Sequence, residues 1–310
     1  MPEITGPTAT AVPQGSHSES HTRDRPMLGV AMLMGCLLLM TAITAVVKLM
    51  AEGYSIQQLL FFRFLFAALP FLILLPRNGG VALLRTRRPL DHAIRSGAGI
   101  VALAMYFYAI ATIPVADATA LSYAAPVFIV VLSIPFLGEQ IGVRRWAAVA
   151  AGFIGMLLIA RPGGVAFEWG YAAAIGSGFF GAMVSVWLRR LAPTERTMTI
   201  AIYYNCAGAL IYGAWTMIDG WTTPDATDLA LLILLGLLAS PQQYLFAGAY
   251  RFAEASMLAP LDYTIMIFAA AVGYLFWAEI PALTTWIGCG IIAASGIFVA
   301  HRERVARRRT

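Results

Sequence analysis

From Met27 to Ala300 the chain alternates long apolar runs with short polar breaks. A helix needs about 20 apolar residues to cross the hydrocarbon core of a bilayer. Ten runs approach that length: Leu28–Leu49, Leu59–Leu75, His92–Ile113, Ala116–Leu137, Trp146–Ala160, Trp169–Leu191, Thr197–Ile218, Asp228–Tyr250, Ala255–Trp277 and Thr284–Ala300. The fifth is short. Brief linkers join them, which predicts an all-α membrane protein of ten transmembrane helices in one bundle. Residues 1–26 are rich in Ser, Thr, Pro and His with no apolar run, and read as a disordered tail. The first run is long enough to span, so it is an uncleaved helix and not a signal segment.

Charge changes the picture by orienting it. With the N-terminus in the cytoplasm, 18 of the 21 Lys and Arg residues fall on the inner side, as the positive-inside rule requires. They include the pairs Arg87-Arg88, Arg144-Arg145 and Arg189-Arg190 and the tail after Glu303. Lys48 and Arg161 fall outside, and Arg63 lies within a span. Both termini are then cytoplasmic. The basic residues are topology signals and predict no nucleic-acid partner. Only 12% of residues are charged, against about 25% in soluble chains.

The second half repeats the first. A shift of 140 brings Leu121, Tyr123, Phe128, Phe136, Glu139, Trp146 and Ala160 onto Leu261, Tyr263, Phe268, Phe276, Glu279, Trp286 and Ala300. A shift of 141 brings Lys48 onto Arg189 and Arg63 onto Tyr204. Five helices is an odd number, so the second copy enters the membrane from the opposite side. Two inverted-topology five-helix repeats follow, at 27–161 and 167–302, with a basic cytoplasmic tail at 303–310. In transporters such repeats hold substrate near the midplane and allow alternating access.

The stretch Asp117–Gly163, with Pro126, Gly138-Glu139, Gly152 and Gly155, resembles the end of a half in the EamA-type family of the drug/metabolite transporter superfamily. Ala253–Glu303, with Glu279 and the small-residue run Gly288–Gly296, resembles the end of the other half. "FFRFLFA" at Phe61–Ala67 is similar to the second helix of members that carry S-adenosylmethionine or riboflavin. The sequence departs from the family at Ala278, where a Gly often precedes the Glu. The resemblance implies ten helices in two inverted halves, a central cavity and a bacterial inner membrane. It implies no cofactor.

Polar residues within the apolar runs are the candidate site. A charge at the centre of a span costs about 2.5–3.5 kcal/mol on insertion scales. Arg63 therefore has three readings: a contact to a substrate carboxylate, phosphate or carbonyl, a structural or gating ion pair, or a side chain reaching the headgroups. Asn205, in the repeat partner of the Arg63 helix, is either a cavity group or interhelical glue. The same choice holds for Gln243, which shares a face with Gly236, Ala239, Ser240 and Ala247. Asp262, just after Pro260, is a proton-coupling carboxylate, a site for a substrate cation, a partner of Arg251 or a helix-end hydrogen-bonding group. Tyr106 and Tyr123 lie deep enough to stack a ring-bearing substrate, or they pack the bundle. Glu139 and Glu279 are expected to cap the helices that follow them.

Other classes lack parts. None of the four histidines lies deep in a span, and the three cysteines sit in apolar runs, so no catalytic set and no metal site is expected. No Gly-Lys-Ser/Thr phosphate loop is present. An intramembrane enzyme or a non-transporting membrane protein are the remoter alternatives. The expectation is a secondary transporter for a small polar organic metabolite, with protons as a candidate coupling ion. Amino acids, S-adenosylmethionine, riboflavin and cationic drugs fit such a site. Neither direction nor oligomeric state is encoded in these patterns.

Overall fold

The computed structural model describes residues 26–137, 142–161, 168–191, 194–253 and 255–307. The tail expected at the N-terminus and Glu139 lie outside them. The described residues form helices and no strand. They are α1 (Pro26–Met50), α2 (Ile56–Leu74), α3 (Pro89–Thr112), α4 (Val115–Ser122), α5 (Ala125–Leu137) and α6 (Val143–Ala160) in the first half. The second half holds α7 (Trp169–Leu191), α8 (Thr197–Asp219), α9 (Ala226–Phe252), α10 (Ala255–Asp262), α11 (Thr264–Trp277) and α12 (Leu283–Arg307). Two short 3-10 turns, Pro76–Asn78 and Gly80–Leu84, link α2 to α3. Seven stretches are long and apolar enough to cross a membrane, and two shorter apolar ones are Trp146–Ala160 and Leu283–Val299.

Two predicted helices are broken. The run Ala116–Leu137 divides at Tyr123-Ala124, and the run Ala255–Trp277 divides at Tyr263. Tyr123 and Tyr263, matched by the shift of 140, hold nearly the same backbone conformation (φ −77°, ψ 3° and φ −73°, ψ −9°). At the first break the cause is proline: Pro126 lacks the N–H that would bond to the Ser122 carbonyl, and its ring crowds that carbonyl. Pro260 lies within α10, upstream of the second break. The apolar pattern runs straight through both breaks, which is why hydropathy reads each as one helix. At the C-terminus α12 continues through Arg307, so most of the expected 303–310 tail is helical.

The halves pack as a two-fold would pack them. Partner lies on partner where α2 meets α8 and α6 meets α12, and the two broken helices meet where α4 packs on α11. Elsewhere contacts come in exchanged pairs: α3 on α7 answers α9 on α1, and α2 on α9 answers α8 on α3. Lipid gives apolar side chains no reason to leave it, so such helices associate through close approach of small residues and sparse polar bonds. A Cβ on Gly155 would stand 3.0 Å from the Gly288 carbonyl, and one on Gly288 would stand 2.7 Å from the Gly155 carbonyl. The Phe64 ring lies on Gly208 in the same way, 2.5 Å from where a Cβ would be.

Loops are tied by buried polar groups. Fully buried Gln58 donates to the Thr222 carbonyl (2.6 Å) and accepts from the Thr222 N–H (3.1 Å), which pins the α8–α9 loop to α2. Tyr54 donates to Asp228 Oδ2 at 2.7 Å, and that bond pushes its phenol pKa up to about 12. Ser55 and Asp225 cap α2 and α9.

Ala278 explains the departure from the family pattern. It ends α11 in the left-handed region (φ 53°, ψ 28°), its N–H bonds to the Tyr274 carbonyl, and the Glu279 N–H reaches back to Gly273. Glycine is the residue suited to that position. An L side chain there costs roughly 1–2 kcal/mol, partly offset by the looser unfolded chain of a glycine variant. Ala278→Gly is therefore expected to stabilise the protein by about 0.5–1 kcal/mol. Thermal unfolding of the purified protein in detergent checks this, and an unchanged or lower midpoint would contradict it.

Candidate functional site

Arg63 sits where the two repeat partners α2 and α8 touch. Its side chain is 7% exposed. Nη1 donates to Asn205 Oδ1 at 3.2 Å, and the guanidinium lies over the rings of Phe64 (4.9 Å) and Tyr204 (5.7 Å). Asn205 is fully buried and spends its amide N–H on the Ala201 carbonyl (2.9 Å), so its oxygen is turned to the arginine. Arg63 makes no ion pair with Asp262 or with any other carboxylate among the described residues. The ion-pair reading of Arg63 is thus corrected to a neutral amide and two aromatic faces. Reaching the headgroups is also excluded, because the guanidinium is buried against α8.

A second arginine, Arg95 on α3, lies 4.5 Å above the same Tyr204 ring. Charge sorting had placed it among the loop arginines. Its position six residues into α3 was the available signal.

The broken helices carry the next group. Tyr123 Oη donates to Met40 Sδ on α1 (3.4 Å). Tyr106 is buried, with its hydroxyl 3.3 Å from both Thr44 Oγ1 and Thr119 Oγ1. It ties α1, α3 and α4 together, an arrangement of bundle packing. Ser122 at the first break donates to the Ala118 carbonyl and lies 2.6 Å from Ser177 Oγ on α7. Gly178 lets α7 approach the Leu121 and Ser122 carbonyls, each 3.1 Å from where its Cβ would be. Irregular backbone at membrane depth is thereby enclosed by protein. At the second break, Tyr263 rests on Gly296 of α12.

Gln243 is half-buried on the α9 face that packs against α2. There Gly236 meets the Phe62 and Arg63 carbonyls, and Ser240 Oγ donates to the Ala67 carbonyl at 3.1 Å. That face is close packing at Gly236 and Ser240. Gln242 turns the other way and donates to Cys36 Sγ on α1 (3.4 Å). Asp262 ends α10 and is half-buried. The structure thus brings Arg63, Asn205 and Tyr204 together. Tyr106 and Tyr123 meet α1 separately, and Gln243 and Asp262 lie on α9 and α10.

A polar cluster closes the end of the bundle where α1 finishes. Lys48 forms an ion pair with Glu279 and also donates to the Ile113 carbonyl (3.3 Å). Glu279 Oε2 accepts the Val115 N–H at 2.9 Å. Glu279 therefore caps α4, in the other half, and not the helix that follows it. Nearby Asp117 is buried and accepts from Thr285 Oγ1 (2.7 Å) and Tyr171 Oη (3.0 Å), which joins α4 to α12 and α7. These partners stand far apart in sequence, 231 positions in the case of Lys48 and Glu279. No local pattern could reveal them.

Comparison with known proteins divides the chain into the same two halves. The model of the EamA-like transporter family matches residues 27–161 and 168–300. The chain belongs to the EamA-like transporter family. It is therefore a multi-pass membrane protein of two repeats. It is 32% identical to a riboflavin transporter of Rhizobium johnstonii over 80% of each chain. It is 27% identical to an S-adenosylmethionine uptake transporter of Rickettsia bellii, over 80% of this chain and 85% of that one. It is 29% identical to a pseudopaline exporter of Pseudomonas aeruginosa, over 85% of this chain and 93% of that one. A solved crystal structure superposes with a TM-score of 0.62 at 21% identity, over 94% of this chain and 99% of the other, which speaks to the fold alone. These named relatives of the EamA-like chain are transporters and not enzymes.

The Lys48–Glu279 pair is mostly buried, its side chains 14% and 20% exposed, and it joins α1 to the α3–α4 and α11–α12 turns. A double-mutant cycle of Lys48→Ala and Glu279→Ala, read by unfolding in detergent, is expected to give a coupling of about 1–3 kcal/mol. Additive single effects would contradict the pairing.

Proposed function

We propose that the chain is a secondary transporter that moves a small polar organic metabolite across the bacterial inner membrane by alternating access. The observation that carries this is the pair of broken helices at Tyr123 and Tyr263. They occupy matched positions in the two halves, and α4 packs on α11 between them. Discontinuous helices at the interface of inverted repeats are where such carriers bind substrate.

On this reading the chain has ten crossings. The seven long apolar stretches, the two shorter ones and the 23-residue α8 support that number. Both termini are cytoplasmic, which the sorting of Lys and Arg supports. The Lys48–Glu279 end is periplasmic, and the ion pair there holds that side closed. The two repeats rock about the α2–α8 contact. Arg63, Asn205, Tyr106, Tyr123, Gln243 and Asp262 are the residues proposed to meet substrate or transmit its binding. Arg63 is the foremost of them, because it is a buried cation at the meeting of the halves.

The names of the relatives supply the candidates: riboflavin, S-adenosylmethionine or pseudopaline. Those relatives include an uptake transporter and an exporter, and an alternating-access carrier runs in either direction as gradients dictate. Asp262, on the broken second-half helix, is proposed to couple transport to protons.

Counterflow in proteoliposomes tests the reading. With unlabelled compound inside, labelled riboflavin, S-adenosylmethionine or an amino acid is expected to accumulate transiently in wild type. The folded Arg63→Gln variant is expected to lose at least tenfold in rate. Under an imposed pH difference, Asp262→Asn is expected to abolish net accumulation while sparing exchange. If no such compound exchanges, or if the folded Arg63 variant matches wild type, the reading fails.

A further inference from the structure

Seven buried side-chain nitrogen and oxygen atoms among the described residues lack a hydrogen-bond partner, and five of them belong to His92, Arg95 and Ser96. These three residues share one face of α3 with Gly99, at helical spacings of three and four. That face looks onto α8. His92 packs on the Tyr203 ring (4.8 Å between centroids), and Gly99 makes room for Tyr204, whose Cε2 would lie 2.8 Å from a Cβ there. Tyr204 Oη reaches the Gly99 carbonyl at 3.4 Å.

Two cations converge on this seam. Arg95 and Arg63 lie 4.5 and 5.7 Å from the centroid of the one Tyr204 ring. Arg95 Nε and Nη1 are buried and bonded to nothing. No carboxylate among the described residues stands within ion-pair reach of either arginine. The acids near the seam are engaged elsewhere: Asp91, one turn before Arg95, lies 4.0 Å from Arg88 Nη1, and Glu195 accepts from Thr86 Oγ1 (2.7 Å) and lies 3.4 Å from His92 Nε2. It also lines a cavity of about 340 Å³ with Asn78, Arg85, Arg196 and Thr199, at the end of the bundle where α3 begins. Like charges in low dielectric repel, and a buried cation without a counter-charge is costly. Cation–π contacts return only about 0.5–2 kcal/mol each. The missing component is negative.

We infer that Arg95 and Arg63, sharing the Tyr204 ring, bind a carboxylate or phosphate group of the transported molecule. A guanidinium presents planar paired donors that match either oxyanion. The unbonded Nε and Nη1 of Arg95 supply such a fork, and Ser96 Oγ adds a donor on the same face. The identification of the anion with the substrate rests on the transporter reading above. The site itself does not.

The test is the thermal midpoint of the purified full-length protein in detergent, titrated with sodium acetate or sodium phosphate against sodium chloride at constant ionic strength. A ligand that binds only the folded state raises the midpoint. Wild type is expected to gain about 2 °C or more with at least one of the two anions. Acetate marks a carboxylate site and phosphate a phosphate site. Arg95→Gln is expected to lose the response, and Arg77→Gln, an exposed position between α2 and α3, is expected to keep it. The inference is overturned if neither anion raises the wild-type midpoint, or if Arg95→Gln responds as wild type does. A response confined to Arg95, in a protein that exchanges no compound in proteoliposomes, would uphold the anion site and count against the transporter reading.

Discussion

A bilayer supplies no water to satisfy a carbonyl and no hydrophobic gain for packing one leucine on another. That constraint explains most of what holds this bundle together. Helices meet where glycine lets backbones touch, as at Gly155 and Gly288. They are pinned where a polar side chain finds a partner across the interface, as Gln58 does on Thr222 and Asp117 does on Thr285 and Tyr171. The breaks at Tyr123 and Tyr263 obey the same constraint. Irregular backbone persists there because neighbouring helices press close enough to enclose it.

The two-fold relation turns these local bonds into a device. Repeat partners that pack on each other lie on the axis, and α2 on α8 is such a pair. A residue on α2 therefore approaches its own counterpart on α8. Arg63, matched to Tyr204 by the repeat, stacks on it and bonds to the adjacent Asn205. A cation at the axis touches both halves at once, so its surroundings change when one half moves against the other. The polar ties at the Lys48 end join residues of both halves as well: Lys48 and Val115 from the first, Glu279 from the second.

Much of this was legible in the sequence, and the illegible parts share a cause. Apolar run length exposed the helices, and the repeat shift placed Arg63 beside Tyr204. The departure at Ala278 was legible, but the left-handed backbone that underlies it was not. Hydropathy failed at Tyr123 and Tyr263, because a broken helix in protein surroundings stays as apolar as an intact one. It failed for Arg95, because a charge near a helix end reads as a topology signal whether it faces headgroups or a neighbouring ring. It failed for Glu279, whose expected role was to cap its own next helix. Its partners come from the other half, and no local pattern in a single chain marks a contact between residues so far apart.

The central claim is that the halves rock about the α2–α8 contact and open the two ends in turn. Pulsed electron–electron distance measurement tests it most directly. One pair of nitroxide labels spans the Lys48 end, at exposed Glu52 and Ile280, and another spans the opposite end, at exposed Leu90 and Thr194. The account predicts two populations at each end, and Glu279→Gln should lengthen the first distance as it shortens the second. A single unchanging distance at both ends, or ends that widen together, would contradict it.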